Sequence, residues 1–276
     1  MRRINEINEL RQIQLDILNH VNKFCKENNI RYFLAGGTLL GAIRHKGYIP
    51  WDDDIDIMMP RKDYEQFKNI YLKKTNTNYK LYHYSVERKY NYPFIKIGDK
   101  RTSIIENQIK DNDFGVNIDI FPLDKFTNDK SIQKKYFSKN RKLRLLLWRK
   151  QNKINWNVKY RSKTKTFLKN IILYIYYQGI LNIISKNYIC KTIDRNSKNL
   201  NNSSNLEYMG GYIWGYYEKE LIPIKAFKDS VPVEFEGNFY PAPIGYDRYL
   251  TGLFGNYMQL PPESERVHHI FTAYWK

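Results

Sequence analysis

Two cysteines in 276 residues, Cys25 and Cys190, lie far apart and argue against both a disulfide framework and a cysteine-based zinc site. A reduced, cytoplasmic setting is the expectation. The N-terminus lacks the apolar core of a secretory signal, because Met1-Arg2-Arg3 is followed by polar residues at helical period. No internal repeat is present. Glycine and proline are missing from residues 129–199 apart from Gly179, so that stretch reads as helical. Its most apolar run, Ile171 to Ile184, contains Gln178 and Asn182 and is flanked by Lys169 and Lys186. It falls short of the roughly twenty apolar residues a spanning helix needs, and an in-plane amphipathic helix is predicted instead. The sharpest shortage is of acid. Residues 134–200 hold 18 of the 46 Lys and Arg and a single carboxylate, Asp194, so nearly the whole net charge of +18 sits there.

The remaining residues carry clear periodicities. Ile4, Ile7, Leu10, Ile17, Leu18, Val21, Phe24 and Cys25 recur at helical spacing with Gln14 as one polar interruption, predicting a helix over 4–25 that stops at Asn28-Asn29. Arg31 to Leu34 reads as a short buried strand, Gly36-Gly37 as a turn, and Thr38 to Arg44 as a helix capped by Thr38. Glycines between a strand and a helix N-terminus suit phosphate, which the unpaired N–H groups and the helix dipole attract. Ile55 to Met59 is predicted as a strand, and Pro60 opens a helix to about Lys73. Strands follow at Tyr79 to Ser85, Pro93 to Ile97 and Thr102 to Glu106. Val116 to Phe121 alternates apolar and polar residues until Pro122 breaks it. Toward the C-terminus, Val231 to Phe235 and Phe239 to Ala242 flank a turn, and a helix from Tyr246 ends at Gly255.

The chemistry concentrates in residues 34–60. Asp54-Ile55-Asp56 puts two carboxylates on one strand face, where they repel each other unless a metal or a proton intervenes. Hard Mg2+ suits them, since it takes oxygen ligands and is held by one or two carboxylates plus substrate phosphates. One or two ions, with Mn2+ as an alternative, are expected. Asp119 lies on a later strand. Gly36, Gly37 and Thr38 are expected around phosphate, and Arg44 is the candidate diphosphate clamp, with a surface salt bridge as the bland reading. Lys96 either points into the same cleft or is an exposed lysine. Trp51 and Tyr48 either stack on a base or enclose an ammonium, or simply anchor the loop. Asp53 is expected to face away and be dispensable. The pair His268-His269 lacks the spacing and companions of a zinc site.

These residues carry a resemblance. Gly-Gly-Thr, an Asp-Ile-Asp strand and then Ile118-Asp119-Ile120 on another strand resemble the nucleotidyltransferase fold of the DNA polymerase β type. More narrowly, Leu39 through Ile57, with Arg44-His45-Lys46-Gly47-Tyr48-Ile49-Pro50-Trp51-Asp52-Asp53-Asp54, resembles the LicD family of phosphocholine transferases, related to the fukutin-type ribitol-phosphate transferases. The likeness continues into Asp119-Ile120-Phe121-Pro122-Leu123-Asp124 and, more loosely, into residues 254–262. It implies an α+β fold with a mixed sheet and flanking helices over residues 1–128, a basic helical insertion over 129–200, and a C-terminal α/β segment over 201–276 packing on the core. It also implies transfer of phosphocholine, or a related alcohol phosphate, from CDP-choline or a similar CDP-alcohol to a glycan hydroxyl, with release of CMP. Asp54 and Asp56 would hold metal, Asp119 would bind a metal or accept the proton of the attacking hydroxyl, and Asp52 would assist. The alternative is a nucleotidyltransferase that places a nucleotide on RNA, a small molecule or a protein.

The basic block bears on the acceptor. Its long aliphatic runs, such as Leu145-Leu146-Leu147, favour an anionic membrane surface over nucleic acid. The expectation is a peripheral enzyme on the inner face of a bacterial membrane, acting on a lipid-linked glycan precursor of the lipopolysaccharide, teichoic acid or capsule type.

Overall fold

The computed structural model describes residues 1–73, 77–106, 114–151, 184–266 and 271–276. The predicted helix at Ile171 to Ile184 and the pair His268-His269 fall almost entirely outside these residues. The chain opens with β1 (Arg2–Ile4), α1 (Ile7–Glu27), β2 (Phe33–Leu34), α2 (Gly36–His45), β3 (Asp56–Pro60) and α3 (Arg61–Tyr71). It continues through β4 (Tyr79–Tyr82), β5 (Ile95–Asp99), β6 (Thr102–Glu106) and β7 (Asn117–Thr127). Two basic helices, α4 (Lys130–Gln151) and α5 (Lys186–Leu200), come next, then β8 (Leu206–Gly210), β9 (Ile222–Pro223), the hairpin β10 (Ser230–Phe235) and β11 (Asn238–Pro243), α6 (Tyr246–Phe254) and β12 (Phe271–Trp275).

The architecture is mixed α+β. Its central sheet runs β2-β3-β7-β5-β4, with β3 and β7 parallel and the other pairs antiparallel. The far half of β7 pairs with β8, which pairs in turn with β9. A smaller antiparallel sheet sets β12 between β1 and β6, so the two ends of the chain are tied together. The core is continuous from α1 through β2, β3 and β7 to α6, with Ile17, Leu18, Val21, Leu34, Ile57, Ile120 and Leu250 all sealed from solvent.

Strand β7 departs from expectation. It passes through Pro122 and runs on to Thr127 instead of stopping at Phe121. The reason lies in the pairing. On one side β5 pairs with β7 only as far as Ile120, and β8 begins only at Asp124, so Pro122 falls in the gap between them. A residue without an N–H is tolerated where no strand asks for one.

The single acid of the basic block explains how its helices dock. Arg61, at the start of α3, makes a two-pronged pair with Asp124 of β7, Nε to Oδ1 at 2.8 Å and Nη2 to Oδ2 at 2.6 Å. Its Nη1 reaches Asp194 of α5 at 2.8 Å. Asp124 also accepts from Ser197 of α5 and from Asn201 just past its end, and Tyr84 donates to Asp194. Around this network α4 and α5 bury Leu147, Ile189, Cys190 and Ile193 against Tyr84, Tyr90, Tyr92 and Phe94. Both cysteines are buried free thiols. Among the described residues no helix is long and apolar enough to cross a membrane.

Candidate active site

Helix α1 shapes the acidic loop before β3. Gln14, the polar interruption of α1, is buried there because its Nε2 donates to the Asp53 carbonyl at 2.8 Å and its Oε1 accepts from the Tyr48 hydroxyl at 3.1 Å. Arg11, one turn earlier, clamps the carbonyls of Ile49, Pro50 and Asp52. The alternation then runs as expected: Ile55 and Ile57 are fully buried while Asp54 and Asp56 stay half-buried on the other side. Tyr48 belongs to the core, under the Arg11 guanidinium at 4.7 Å, which leaves it as a loop anchor. Asp53 is buried with Ile55 and Ile57, on the opposite side from Asp54 and Asp56 as expected.

Helix α2 begins two residues earlier than expected, and Thr38 does not cap it. Ala35 occupies the N-cap, and the Thr38 hydroxyl instead accepts the Asp56 N–H at 2.8 Å. The two-residue β2 pairs only Phe33 with Met58 and Leu34 with Ile57, so the next N–H of β3 takes a side-chain acceptor. Thr38 is buried, and its hydroxyl fixes the start of β3. The glycines serve close approach. Gly36 has φ +48°, donates its N–H to the Tyr249 hydroxyl at 3.2 Å, and would bring a Cβ to 3.3 Å from Asp56 Oδ2. A Cβ at Gly37 would lie 2.6 Å from Asp52 Oδ2. The groups leaning on this helix N-terminus are therefore the carboxylates of Asp52 and Asp56, which its positive end favours.

Asp56 and Asp119 stand opposite each other in the parallel β3–β7 register, and Lys96 of β5 is paired with Asp119 across the other edge of β7. Lys96 is buried, its Nζ 2.5 Å from Asp119 Oδ1 and 3.0 Å from Asn117 Oδ1, over the rings of Tyr92, Phe94 and Phe114 at 5.1–5.6 Å. Of the two readings of Lys96, the structure supports the cleft. Burial, then the charges of Asp54, Asp119 and Asp52, push the Asp56 carboxyl well above the usual carboxylate range, with Lys96 acting in the opposite sense. Among the described residues no three His, Cys, Asp or Glu side chains close into a metal site by themselves. Asp54, Asp56 and Asp119 thus form a crowded group in which Asp119 is held by a lysine, not a ready three-carboxylate cage.

Arg44 stands elsewhere. It lies near the C-terminal end of α2, about two turns from Gly36. There its Nη1 donates to the carbonyls of Tyr257 and Gln259, at 2.7 and 3.3 Å. It clips the 255–260 segment to the core and is not brought to the carboxylates. Trp51 is half-buried against the core with the Arg266 guanidinium 4.8 Å over its ring. The sequence reading missed the wall facing Asp56. A cavity of about 430 Å3 is lined there by Asp56, Gly36, Phe121, Tyr249 and an aromatic turn bearing Trp214, Tyr216 and Tyr217, with Arg144 and Glu220 behind. The only hint in the sequence was the density of aromatic residues at 212–217, which no spacing rule links to residue 56.

Comparison with known proteins identifies the family. The LicD/FKTN/FKRP nucleotidyltransferase domain matches residues 29–144, a span that contains α2, β3, Lys96 and Asp119. The lipopolysaccharide cholinephosphotransferase LicD of Haemophilus influenzae is 32% identical over 275 residues, 97% of each chain. An uncharacterised protein of Rickettsia typhi is 35% identical over 130 residues, 45% of this chain and 41% of its own. The mouse ribitol 5-phosphate transferase FKRP is 61% identical over a segment of 28 residues, 10% of this chain and 6% of its own. With similarity to a LicD protein running the length of both chains and the acidic strand pair inside the matched domain, the chain belongs to the LicD family.

Proposed function

We propose that this chain is a Mg2+-dependent transferase that moves phosphocholine, or a related alcohol phosphate, from a CDP-activated donor to a hydroxyl of a cell-surface glycan precursor and releases CMP, on a core of the DNA polymerase β type. The observation that carries the reading is the pairing of Asp56 and Asp119 on adjacent parallel strands, with Asp56 on the wall of a cavity. The LicD relative, named for cholinephosphotransfer to lipopolysaccharide, supplies the reaction class.

The donor set suits Mg2+. Asp54 and Asp56 offer carboxylate oxygens beside each other, burial and the Asp54 charge both raise Asp56, and one or two protein carboxylates completed by substrate phosphates are what Mg2+ takes. When bound, the ion neutralises charge developing on the diphosphate. The residues of the chain do the rest. Asp119, oriented by Lys96, accepts the proton of the acceptor hydroxyl. The hydroxyl oxygen forms a new bond to the phosphorus bearing the alcohol. The bond from that phosphorus to the bridging oxygen breaks, and CMP leaves with the electron pair. The Lys96 ammonium, held in an apolar aromatic setting, stabilises negative charge beside the reacting group.

Incubation of the purified protein with CDP-choline, a panel of lipid-linked and free oligosaccharides, and Mg2+ or EDTA, followed by mass spectrometry, tests the reading. A gain of one phosphocholine on an acceptor with free CMP is the expected result. Free phosphocholine with a CMP-labelled acceptor would identify a nucleotidyltransferase instead. Peripheral attachment to an anionic membrane is part of the proposal, supported by the basic helices and by a groove of about 1000 Å3 lined by Arg88, Lys89, Lys186 and Lys191. Flotation with liposomes checks it: equal binding to neutral and anionic vesicles, or to neither, would remove the electrostatic argument.

A further inference from the structure

The cavity beside Asp56 has an unusual lining. Phe121, Tyr249, Trp214, Tyr216 and Tyr217 give it aromatic walls, and Glu220 closes it with an acid. Glu220 is only 3% exposed. Its carboxylate accepts the N–H groups of Gly211 and Tyr216, each at 3.3 Å, and among the described residues it forms no ion pair. The turn closes over this acid because residue 215 is glycine; a Cβ there would stand 2.4 Å from Glu220 Oε1. The aromatic wall already holds one delocalised cation. The Arg144 guanidinium lies 4.7 Å from the Trp214 ring centre and 4.4 Å from that of Tyr217, while its Nη1 donates to the Gly215 carbonyl at 2.8 Å. Tyr216 is different: it is 48% exposed, touches Phe254 edge-on at 5.7 Å, and has no cation over its ring among the described residues.

The geometry points to a quaternary-ammonium subsite in this cavity, with Tyr216 as the ring that receives the cation and Glu220 as the buried counter-charge. The inference rests on the transfer reading above and narrows it to choline among the alcohol phosphates. Asp56 lines the same cavity opposite these rings, so the alcohol carried by a phosphate held at Asp56 would project toward them. A trimethylammonium group carries charge without N–H donors, so it is recognised by ring faces and a diffuse negative potential. A primary ammonium has three N–H donors to satisfy, which ring faces do not do. A neutral polyol would need hydrogen-bond partners along its whole length, which aromatic faces do not supply.

Calorimetric titration of the full chain with phosphocholine, phosphoethanolamine and CDP tests the assignment in the wild type, Tyr216→Phe and Tyr216→Leu. The wild type is expected to bind phosphocholine more tightly than phosphoethanolamine. Tyr216→Phe should keep that affinity within about twofold and Tyr216→Leu should weaken it roughly tenfold, since the ring face and not the hydroxyl is required. CDP binding should be equal in all three. The isosteric Glu220→Gln should likewise weaken phosphocholine and spare CDP. An unaffected Tyr216→Leu variant, no preference for phosphocholine, or no phosphocholine binding at all would overturn the assignment. An equal loss of CDP binding would do so too, by giving the cavity to the nucleoside. The two readings fail separately. Turnover of CDP-choline that is insensitive to Tyr216→Leu removes the subsite and leaves the transferase. Tyr216-dependent phosphocholine binding without CMP release removes the transferase and leaves the subsite.

Discussion

Around Arg61 the protein gathers Asp124, Asp194 and Glu65 and pairs each of them with a cation, whereas around Asp56 it crowds Asp52, Asp54 and Asp119 together, with Lys96 held against Asp119. Both groups are drawn out of bulk water, yet their carboxyls move in opposite directions. Burial acts to raise Glu65, but hydrogen bonds from Lys198 and Lys68 hold it down at about 2. Asp194 is likewise held low against burial by Arg61 and Lys198. Asp56 is driven up by burial and by its acidic neighbours. The first group is complete in the protein alone and docks α5 onto the central sheet. The second crowds its acids against one another, and a divalent ion with a diphosphate, as proposed, would relieve that crowding.

That contrast predicts opposite outcomes for similar substitutions. Arg61→Ala leaves Asp124 and Asp194 buried without their cation and is expected to cost about 3–5 kcal/mol of stability, read from urea unfolding. If it unfolds no more easily than the wild type, the structural half of the contrast is broken. Asp56→Asn should lower turnover by roughly 10^2–10^3-fold, comparable to losing a principal transition-state contact. Because it removes a crowded charge, it should also melt at or above the wild-type temperature. Loss of both activity and stability would place Asp56 in the structural class with Asp124.

Acidification gives a smaller effect whose sign follows from Glu65. Its carboxyl titrates near 4.5 in the unfolded chain and at about 2 in the folded one, so the stabilisation it contributes is complete above 4.5 and is lost as pH falls from there through about 2. Denaturation midpoints measured across that window should fall less steeply in Glu65→Gln than in the wild type. Equal slopes would mean that Lys68 and Lys198 do not hold this carboxylate in solution.

The same contrast explains what could be read in the sequence. Asp54, Asp56 and Asp119 were legible because side chains alternate along extended backbone, and residues 53–57 and the first half of β7 keep that alternation. The helix from Tyr246 and the hairpin of β10 and β11 were legible because a glycine marks the end of one and the turn of the other. Arg61, Asp124 and Asp194 lie far apart in sequence, and nothing local links them. Lys96 was ambiguous for the same reason, since its partner is set by the β5–β7 register. Arg44 and Thr38 were misjudged because each obeyed a local rule, basic near phosphate glycines and threonine before a helix, while tertiary partners took them for other uses. The aromatic wall came from a turn more than a hundred and fifty residues from Asp56 and was beyond any motif.

The central claim is that the acids around Asp56 form a cation site and those around Arg61 do not. Thermal unfolding with increasing Mg2+ addresses it directly. An ion that binds the folded chain alone stabilises it by about 2.7 kcal/mol at a hundred times its dissociation constant. The account predicts a concentration-dependent rise in the melting temperature of the wild type that is absent in Asp56→Asn and retained in Glu65→Gln. An equal rise in wild type and Asp56→Asn, or none in the wild type at millimolar Mg2+, would contradict it.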